Sequence, residues 1–277
     1  MNESVDHLLI DARNILYRII YGYMKNDTKY HTTTLLLKFL TSIIREFKPK
    51  HVHVFWDDKR DNIWRRKIFA GYKDRDTKYV RDISENLAIS TSATMDIMKY
   101  MNVRQYHKDH MEADDLIYAA VSILHPQTSI IVSTDSDLSQ IPYVFQSSRV
   151  YHPKKQSIID IPSVNPVFMK SLVGDKSDSI PGYKGVGEVT AQKILAGNRL
   201  NSFLSENDKS LFYRNLTLID LSLCPNLLGN KKHALDTIWA EPIFDDAEIR
   251  NSIMRNKING MISEYSSIMQ EFRFLRQ

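Results

Sequence analysis

Carboxylates recur in short clusters along this chain, each cluster beside the end of a predicted strand or the start of a predicted helix. The nine acids are Asp11, Asp57, Glu112, Asp114, Asp115, Asp135, Asp137, Asp175 and Asp178. Like charges gathered in one crevice repel each other, and bound cations make such an arrangement tolerable. Hard divalent ions such as Mg²⁺ prefer oxygen ligands. The set therefore predicts a carboxylate-rich metal site.

Each cluster taken alone also has an ordinary structural explanation. Acids in the first turn of a helix complement its dipole, acids in a turn can cap the following helix, and acids in a loop can simply be solvated. Asp11 is harder to explain in this way, because it ends an apolar run and must find partners there. The order and spacing of the whole set favour the metal site, since several independent explanations would otherwise have to coincide.

Short apolar runs and helical stripes alternate along the first half of the chain. The predicted strands are His7–Ile10, His51–Trp56, Val103–Tyr106 and Ser129–Val132, and the predicted helices are Thr32–Phe47, Thr94–Met101 and Glu112–Leu124. The connections are too long for hairpins, so the fold class is predicted to be α/β, with a mostly parallel central sheet flanked by helices. In such sheets the functional crevice lies beyond the carboxyl ends of the strands. Asp11, Asp57 and Asp135 each follow a strand, and we expect them to meet there.

The character of the sequence changes near Asp178. Residues 1–178 are predicted to form the α/β domain that carries the acidic site. Residues 179–277 have a mainly helical pattern, and they begin with a segment rich in glycine. The sequence contains no internal repeat and no low-complexity tract.

The glycine-rich segment, residues 180–197, has the features of a phosphate-binding turn. Gly185 and Gly187 permit a tight turn and a close approach of the backbone to a ligand. Helix-forming residues follow, so free amides at a helix N-terminus would face outward. Lys184 and Lys193 add positive charge. The pattern favours a sequence-independent grip on a duplex backbone over a plain glycine-rich helical hairpin.

The segment from Lys59 to Arg81 combines cations with aromatic side chains. Its nine basic residues are Lys59, Arg60, Arg65, Arg66, Lys67, Lys73, Arg75, Lys78 and Arg81, and its aromatic residues include Trp64, Phe69, Tyr72 and Tyr79. The alternative is a solvated charged helix, but interleaved aromatics suit base stacking on unpaired strands while the cations follow phosphates. The segment directly follows the predicted strand that ends at Asp57, so we expect it to lie over the acidic crevice.

Composition narrows the classes of protein that remain. The chain has 37 Lys and Arg against 33 Asp and Glu, a formal net charge of +4. If the nine acids converge, the remaining surface is strongly basic, as an enzyme acting on a polyanion requires. Cys224 is the only cysteine, which excludes an intrachain disulfide and a cysteine-rich zinc site and fits a reducing cytoplasm. We expect no signal peptide, no membrane span and a cytoplasmic location.

Taken in order, these motifs resemble those of the 5′-nuclease (flap endonuclease) superfamily, most closely the T-even-type bacteriophage RNase H enzymes, which are 5′→3′ exonucleases. The matching segments are Leu9 to Asp11, Phe55 to Asp57, Trp64 to Arg66, Tyr72 with Lys73, Glu112 to Asp115, Ser133 to Asp137, Gly174 to Asp178, the glycine-rich turn, and Tyr213 to Asp220. The resemblance therefore covers the chain from its N-terminus to about Asp220.

The resemblance implies a PIN-like 5′-nuclease fold, with a helical arch at about residues 58–90 and a helix–three-turn–helix at about residues 180–197 in a DNA-binding region spanning 179–277. It implies two Mg²⁺ ions, with Mn²⁺ as a substitute, and K⁺ at the helix–three-turn–helix. The first ion would be held by Asp11, Asp57, Glu112, Asp114 and Asp115, and the second by Asp135, Asp137, Asp175 and Asp178. Asp58 is an alternative to Asp57, which is preferred because it ends the apolar run.

The resemblance also implies roles for the basic residues. Lys73 and Arg75 would contact the scissile phosphate, although Arg75 follows Lys73 more closely than is usual, so Lys67 or Arg66 is an alternative for part of that role. The residues implied to bind nucleic acid are Arg65, Arg66, Tyr72, Gly182, Lys184, Gly185, Gly187, Thr190 and Lys193.

The implied activity is structure-specific cleavage of 5′-flapped or nicked duplex DNA and RNA–DNA hybrids, including removal of RNA primers in phage DNA replication. The implied products carry a 5′-phosphate. The chain would act as a monomer, with a single-stranded-DNA-binding protein or a sliding clamp as partner. Two alternatives remain: a PIN-type single-strand ribonuclease, and a non-catalytic structure-specific DNA-binding protein.

Overall fold

A six-stranded sheet forms the centre of the computed structural model, which describes residues 4–26, 31–74, 78–223 and 241–275. The strands are β1 (His7–Asp11), β2 (His51–Trp56), β3 (Arg104–His107), β4 (Ser129–Val132), β5 (Ser148–His152) and β6 (Ser157–Ile158). Their spatial order is β3-β2-β1-β4-β5-β6, and only β6 is antiparallel to its neighbour. The predicted mostly parallel sheet is confirmed.

The central strands are mostly apolar because helices cover both faces of the sheet. In β1, Leu8 and Ile10 face one core cluster and Leu9 faces the other, and all three are almost fully buried. The first cluster lies under α1 (Ala12–Asn26), α2 (Thr32–Phe47) and α4 (Lys78–Met98). The second lies under α5 (Ala113–Leu124) and α6 (Gln140–Val144). This sandwich fixes the carboxyl ends of the strands at one rigid edge.

Most of the strongly periodic elements have the predicted bounds. Helix α2 and strands β2 and β4 agree with the sequence residue for residue. The predicted helix Thr94–Met101 is the last turn of the longer α4 as far as Met98, and the chain leaves the helix there. The start of α4 was not predicted, because the polar N-terminal half of the helix hides the helical stripe. Strands β5 and β6 were not predicted, since their residues lack an apolar run.

The second half of the chain is helical. It contains α7 (Pro166–Val173), α8 (Glu188–Ala196), α9 (Leu200–Glu206), α10 (Lys209–Ile219), α11 (Asp246–Arg255) and α12 (Tyr265–Arg273). Helices α7 and α8 pack against each other and are joined by residues 174–187, which include a short antiparallel pair, Gly174–Asp175 with Ile180–Pro181. A short helix, α3 (Trp64–Ile68), lies before α4 and packs on α10.

Helices α11 and α12 return to the sheet. Ile249, Ile253, Met269 and Phe272 belong to the same core cluster as Leu36 of α2. Residues 241–275 therefore contribute to the core of the α/β unit, and the division of the chain at residue 178 stays a prediction. Within the described ranges, no helix is both long and apolar enough to cross a membrane.

Candidate active site

Three aspartates meet at the carboxyl edge of the sheet, as expected from their places in the sequence. Asp11, Asp57 and Asp135 line one crevice of about 750 Å³, together with Lys73 and Asp178. Asp11 accepts a hydrogen bond from the Ser133 hydroxyl at 2.7 Å, and Asp57 accepts one from the Ala113 amide at 3.2 Å. These bonds fix the direction of both carboxylates toward the crevice.

Asp58 points away from this crevice. Its carboxylate accepts a hydrogen bond from the His110 amide at 2.7 Å and lies 3.6 Å from Nε2 of His107. The side chain is buried behind the loop that follows β3. Of the two neighbouring acids, Asp57 is the one that faces the other carboxylates.

The first acidic cluster lies at the start of α5. Glu112 is the N-cap of this helix and forms a capping box with Asp115. Ligand oxygens of Glu112, Asp114 and Asp115 lie within 4.8 Å of one another, a spacing that could hold a metal ion. Glu112 also accepts hydrogen bonds from Lys73 Nζ at 2.5 Å and from the Tyr72 hydroxyl at 2.9 Å.

Arg65 is buried inside this cluster, with 1% of its surface exposed. Its Nη1 and Nη2 donate to the two oxygens of Asp115 at 2.9 and 2.7 Å, and Nη1 also donates to Glu112 at 2.8 Å. Its Nε donates to the Leu218 carbonyl at 2.7 Å, near the end of α10. Trp64 Nε1 gives Asp115 a further bond at 3.1 Å. The guanidinium thus ties the acidic helix to the helical half of the chain.

These contacts contradict two of the sequence-based predictions and bear on a third. Arg65 and Tyr72 were predicted to bind nucleic acid, but both are buried and bonded to acids, so neither is available to a phosphate or a base. Asp115 was predicted to be a metal ligand; both its oxygens accept hydrogen bonds from Arg65, and it also belongs to the group whose spacing could hold a metal ion, so this role stays a prediction. It acts as the internal partner of the arginine and orients Glu112 through the capping box.

Burial and mutual repulsion change the pKa values of the other acids. Burial, followed by the charge of Asp57, raises the pKa of Asp11 to about 8. Burial also raises the pKa of Asp57 and of Asp114. Glu112 differs: burial opposes ionisation, but Lys73 and Arg65 outweigh it and lower its pKa to about 2. Among the residues that the structure describes, Asp11, Asp57 and Asp114 form no ion pair with a lysine or arginine, as expected of residues that receive a cation.

The second cluster contains Asp135, Asp137, Asp175 and Asp178, which interact electrostatically across two loops. Burial and the charge of Asp135 raise the pKa of Asp137 to about 7. Burial also raises the pKa of Asp178. For Asp175, burial acts in the same direction, but Lys170 and Ser177 lower its pKa overall. The loops after β4 and α7 thus bring together the four acids that the sequence grouped.

Sequence reasoning missed Lys170, which lies on α7 inside this second cluster. Its ammonium donates to Asp137, to Asp175 at 2.6 Å and to the Ser136 hydroxyl at 3.0 Å. The sequence shows a lysine five residues before Asp175, but a single lysine on a short helix gives no pattern from which its contacts could be predicted.

Tyr72 and Lys73 connect the two clusters. The Tyr72 hydroxyl bonds both Glu112 and Asp178, and the Lys73 amide donates to the Asp178 carbonyl at 2.9 Å. Lys73 has a left-handed backbone, with φ of 51°, which turns its side chain back to Glu112. Lys67 is exposed on α3, and Arg66 donates to the Tyr72 carbonyl at 3.1 Å. Arg75 lies outside the described residues.

One wall of the crevice is basic and aromatic, which the sequence did not reveal. Arg13, Tyr17, Arg18 and Tyr21 lie along the crevice side of α1, and Lys154 faces them from beyond β5. Spacings of four residues place Arg13, Tyr17 and Tyr21 on one helical face. The acids are therefore accessible through an entrance that attracts anions.

The glycine-rich turn lies between α7 and α8. Gly185 has φ of 78°, and Gly187 is the N-cap of α8. Lys184, Gly185, Gly187, Thr190 and Lys193 are all exposed there. Gly182 has a different reason to be glycine, because a Cβ on it would lie 2.0 Å from the Val173 carbonyl oxygen. It allows the turn to pack on α7.

Comparison with known proteins agrees with this geometry. Residues 6–168 match the family model of the 5′–3′ exonuclease N-terminal resolvase-like domain, and the chain belongs to that family. It is 31% identical over 215 residues to a 5′-3′ exonuclease of Halalkalibacterium halodurans, covering 68% of each chain. It is 30% identical over 208 residues to DNA polymerase I of Geobacillus stearothermophilus, covering 68% of this chain but only 23% of the polymerase.

Solved structures show the same fold. A flap endonuclease of bacteriophage T5, in a complex with DNA and metal ions, superposes with a TM-score of 0.67 at 14% identity, over 96% of this chain and 99% of that one. Flap endonuclease-1 from Methanococcus jannaschii gives a TM-score of 0.54 at 12% identity, over 98% and 92%. The predicted membership of the 5′-nuclease superfamily is confirmed, and the chain is a nuclease.

Proposed function

We propose that the chain is a divalent-metal-dependent, structure-specific 5′-nuclease that hydrolyses phosphodiester bonds in 5′-flapped or nicked duplex DNA and in RNA–DNA hybrids. The observation that carries the proposal is the convergence of two buried acidic clusters on one crevice with a basic wall. Acids held this close raise one another's pKa, and a bound cation would relieve that cost. The names of the relatives, 5′-3′ exonuclease and flap endonuclease, support the reaction type.

The donor set fits hard divalent ions, since every candidate ligand is a carboxylate oxygen. Asp11, Asp57, Asp114 and Glu112 would hold the first ion. Asp135, Asp137, Asp175 and Asp178 would hold the second. When bound, such ions lower the pKa of an attacking water and stabilise the charge on the transferring phosphate and the leaving oxygen. Mg²⁺ suits these ligands, and Mn²⁺ is the expected substitute.

The basic residues would orient the substrate. Lys73 lies at the boundary of both clusters, and its side chain is 31% exposed, so its ammonium can meet a phosphate in the crevice. Lys67 and Arg66 lie on the same segment and, with Arg75, are proposed to follow the strand. Arg13, Arg18 and Lys154 supply positive charge on the opposite wall. This distribution would direct a phosphate backbone across the acids.

The exposed turn before α8 would bind the duplex. Free amides at a helix N-terminus attract phosphate, and Lys184 and Lys193 add charge on the same surface. K⁺ bound at this turn would be compatible with its carbonyl groups. The contact would involve only the backbone, so it would position any sequence.

The resemblance to T-even-type bacteriophage RNase H enzymes supports a role in phage DNA replication, where the nuclease would remove RNA primers in the host cytoplasm. On the same basis, a single-stranded-DNA-binding protein or a sliding clamp is the proposed partner of a monomeric enzyme.

The test compares the wild type with Asp135→Asn on a 5′-labelled flap and an RNA–DNA hybrid in Mg²⁺, with Asp61→Asn as the matched control. Asp61 is exposed and outside both clusters. We expect Asp135→Asn to lose at least about 100-fold in kcat and the control to keep full activity. Undiminished cleavage by Asp135→Asn would refute the proposal, and exclusive cleavage of single-stranded RNA would support a PIN-type ribonuclease instead.

A further inference from the structure

The ammonium of Lys170 occupies the centre of the second acidic cluster. A lysine ammonium has three donors, and here they meet three acceptors: Asp137, Asp175 and the Ser136 hydroxyl. The side chain is 21% exposed. It is therefore a fully bonded internal cation.

On Asp175, Lys170 contacts the oxygen that a metal ion would need. On Asp175, Oδ1 accepts hydrogen bonds from the amides of Ser177 at 2.6 Å and Asp178 at 3.3 Å. The Ser177 hydroxyl bonds the same oxygen. Oδ2 is the oxygen that remains for a cation, and Nζ of Lys170 donates a hydrogen bond to it at 2.6 Å. It also bonds Asp137, through Oδ1.

The first cluster is built differently. Within residues 4–26, 31–74, 78–223 and 241–275, no lysine or arginine forms an ion pair with Asp11, Asp57 or Asp114. Arg65 pairs there with Glu112 and Asp115, and Lys73 pairs with Glu112. The first cluster thus presents three carboxylates that form no ion pair among the described residues, whereas in the second cluster Lys170 pairs with both Asp137 and Asp175.

We propose that Lys170 is a resident counter-ion that competes with the second divalent ion for Asp137 and Asp175. The inference deepens the proposed function and rests on it. The first ion binds to the unpaired carboxylates, and the second binds only when the ammonium of Lys170 leaves the cluster. Occupancy is therefore sequential, and the second ion binds more weakly than the four carboxylates alone would allow.

The first experiment measures Mn²⁺ binding to the metal-free full chain by calorimetry. We expect two affinity classes in the wild type. In Lys170→Met, which keeps the length of the side chain and removes its charge, we expect the weaker class to tighten by at least about tenfold, while the tighter class stays the same. Lys209→Met is the matched control, because Lys209 is exposed on α10 outside both clusters, and we expect it to bind like the wild type.

The second experiment uses the wild type alone, so it does not depend on folding of a variant. Acetylation of each lysine is quantified by mass spectrometry with and without saturating Mn²⁺. We expect Lys170 to become several-fold more reactive when Mn²⁺ is bound, since its ammonium is displaced, while Lys209 does not change. A purely structural lysine would show no such increase.

The outcomes separate the two proposals. Wild type that binds no Mn²⁺ would refute the metal-dependent function and this inference with it. Binding of two ions with no change in Lys170→Met, or with no change in the reactivity of Lys170, would overturn the inference alone and leave the proposed function standing.

Discussion

Replacing Arg65 with methionine should strongly destabilise the fold. The substitution keeps the apolar stem and leaves two buried acids, Glu112 and Asp115, without their shared guanidinium. Removing one partner of a buried ion pair costs about 3–5 kcal/mol. Glu112 keeps Lys73, and Asp115 keeps Trp64, so part of the negative charge remains satisfied. We therefore expect a loss of about 4 kcal/mol in the free energy of unfolding, a large fraction of the roughly 5–15 kcal/mol of a typical domain.

The measurement is equilibrium denaturation in urea, with Lys67→Met as the control. Lys67 is an exposed cation on the same short helix, so its loss should change stability by less than about 0.5 kcal/mol. Adding Asp115→Asn to Arg65→Met should recover part of the loss, with a coupling energy of about 1–3 kcal/mol. If Arg65→Met were as stable as the control but lowered the salt dependence of DNA binding, the arginine would be a phosphate contact and the burial argument would be wrong.

Two further predictions concern the crevice. Lys73→Ala should fold normally but lose about 100-fold or more in kcat, because Lys73 is a half-buried cation beside Glu112 that lines the crevice. Steady-state cleavage of a flap measures this, and wild-type turnover would remove the lysine from the mechanism. With a chelator present to remove metal ions, Asp11→Asn should be more stable than the wild type at pH 9. Folding raises the pKa of Asp11 from 3.8 to about 8, so the folded wild type loses stability as the pH rises between these two values. Thermal unfolding measured from pH 5 to 9 tests this, and an equal dependence of melting temperature on pH in both proteins would contradict it. The nuclease activity of Asp11→Asn should be lost at every pH.

The sheet and the position of its acids were predictable because both depend on local order. Parallel strands end at one edge, so an aspartate after β1 and another after β4 must be neighbours even though they lie far apart in sequence. The apolar runs of these strands are uninterrupted, and this made them visible. Asp57 was distinguished from Asp58 on the same basis, as the residue that directly ends the run.

The internal cations could not be predicted in this way. Arg65 lies in a segment with many basic residues, and nothing in its neighbours shows that it alone turns inward. Its partner Glu112 is 47 residues away, so the pairing depends on how the segment packs on α5 and α10. The same holds for Lys170, 33 residues from Asp137. Local composition reports the number of charges, whereas only the tertiary fold decides which of them neutralise each other.

The return of α11 and α12 to the sheet has a consequence for how the chain folds during synthesis. Apolar side chains of α2 and α4 are covered by residues 241–275. Contacting residues there are 227 positions apart for Thr41 and Ile268, and 159 apart for Asp96 and Arg255. Contacts this distant close late and slowly. While the ribosome is still making the helical half, the exposed faces of α2 and α4 are an aggregation risk that a chaperone would need to cover.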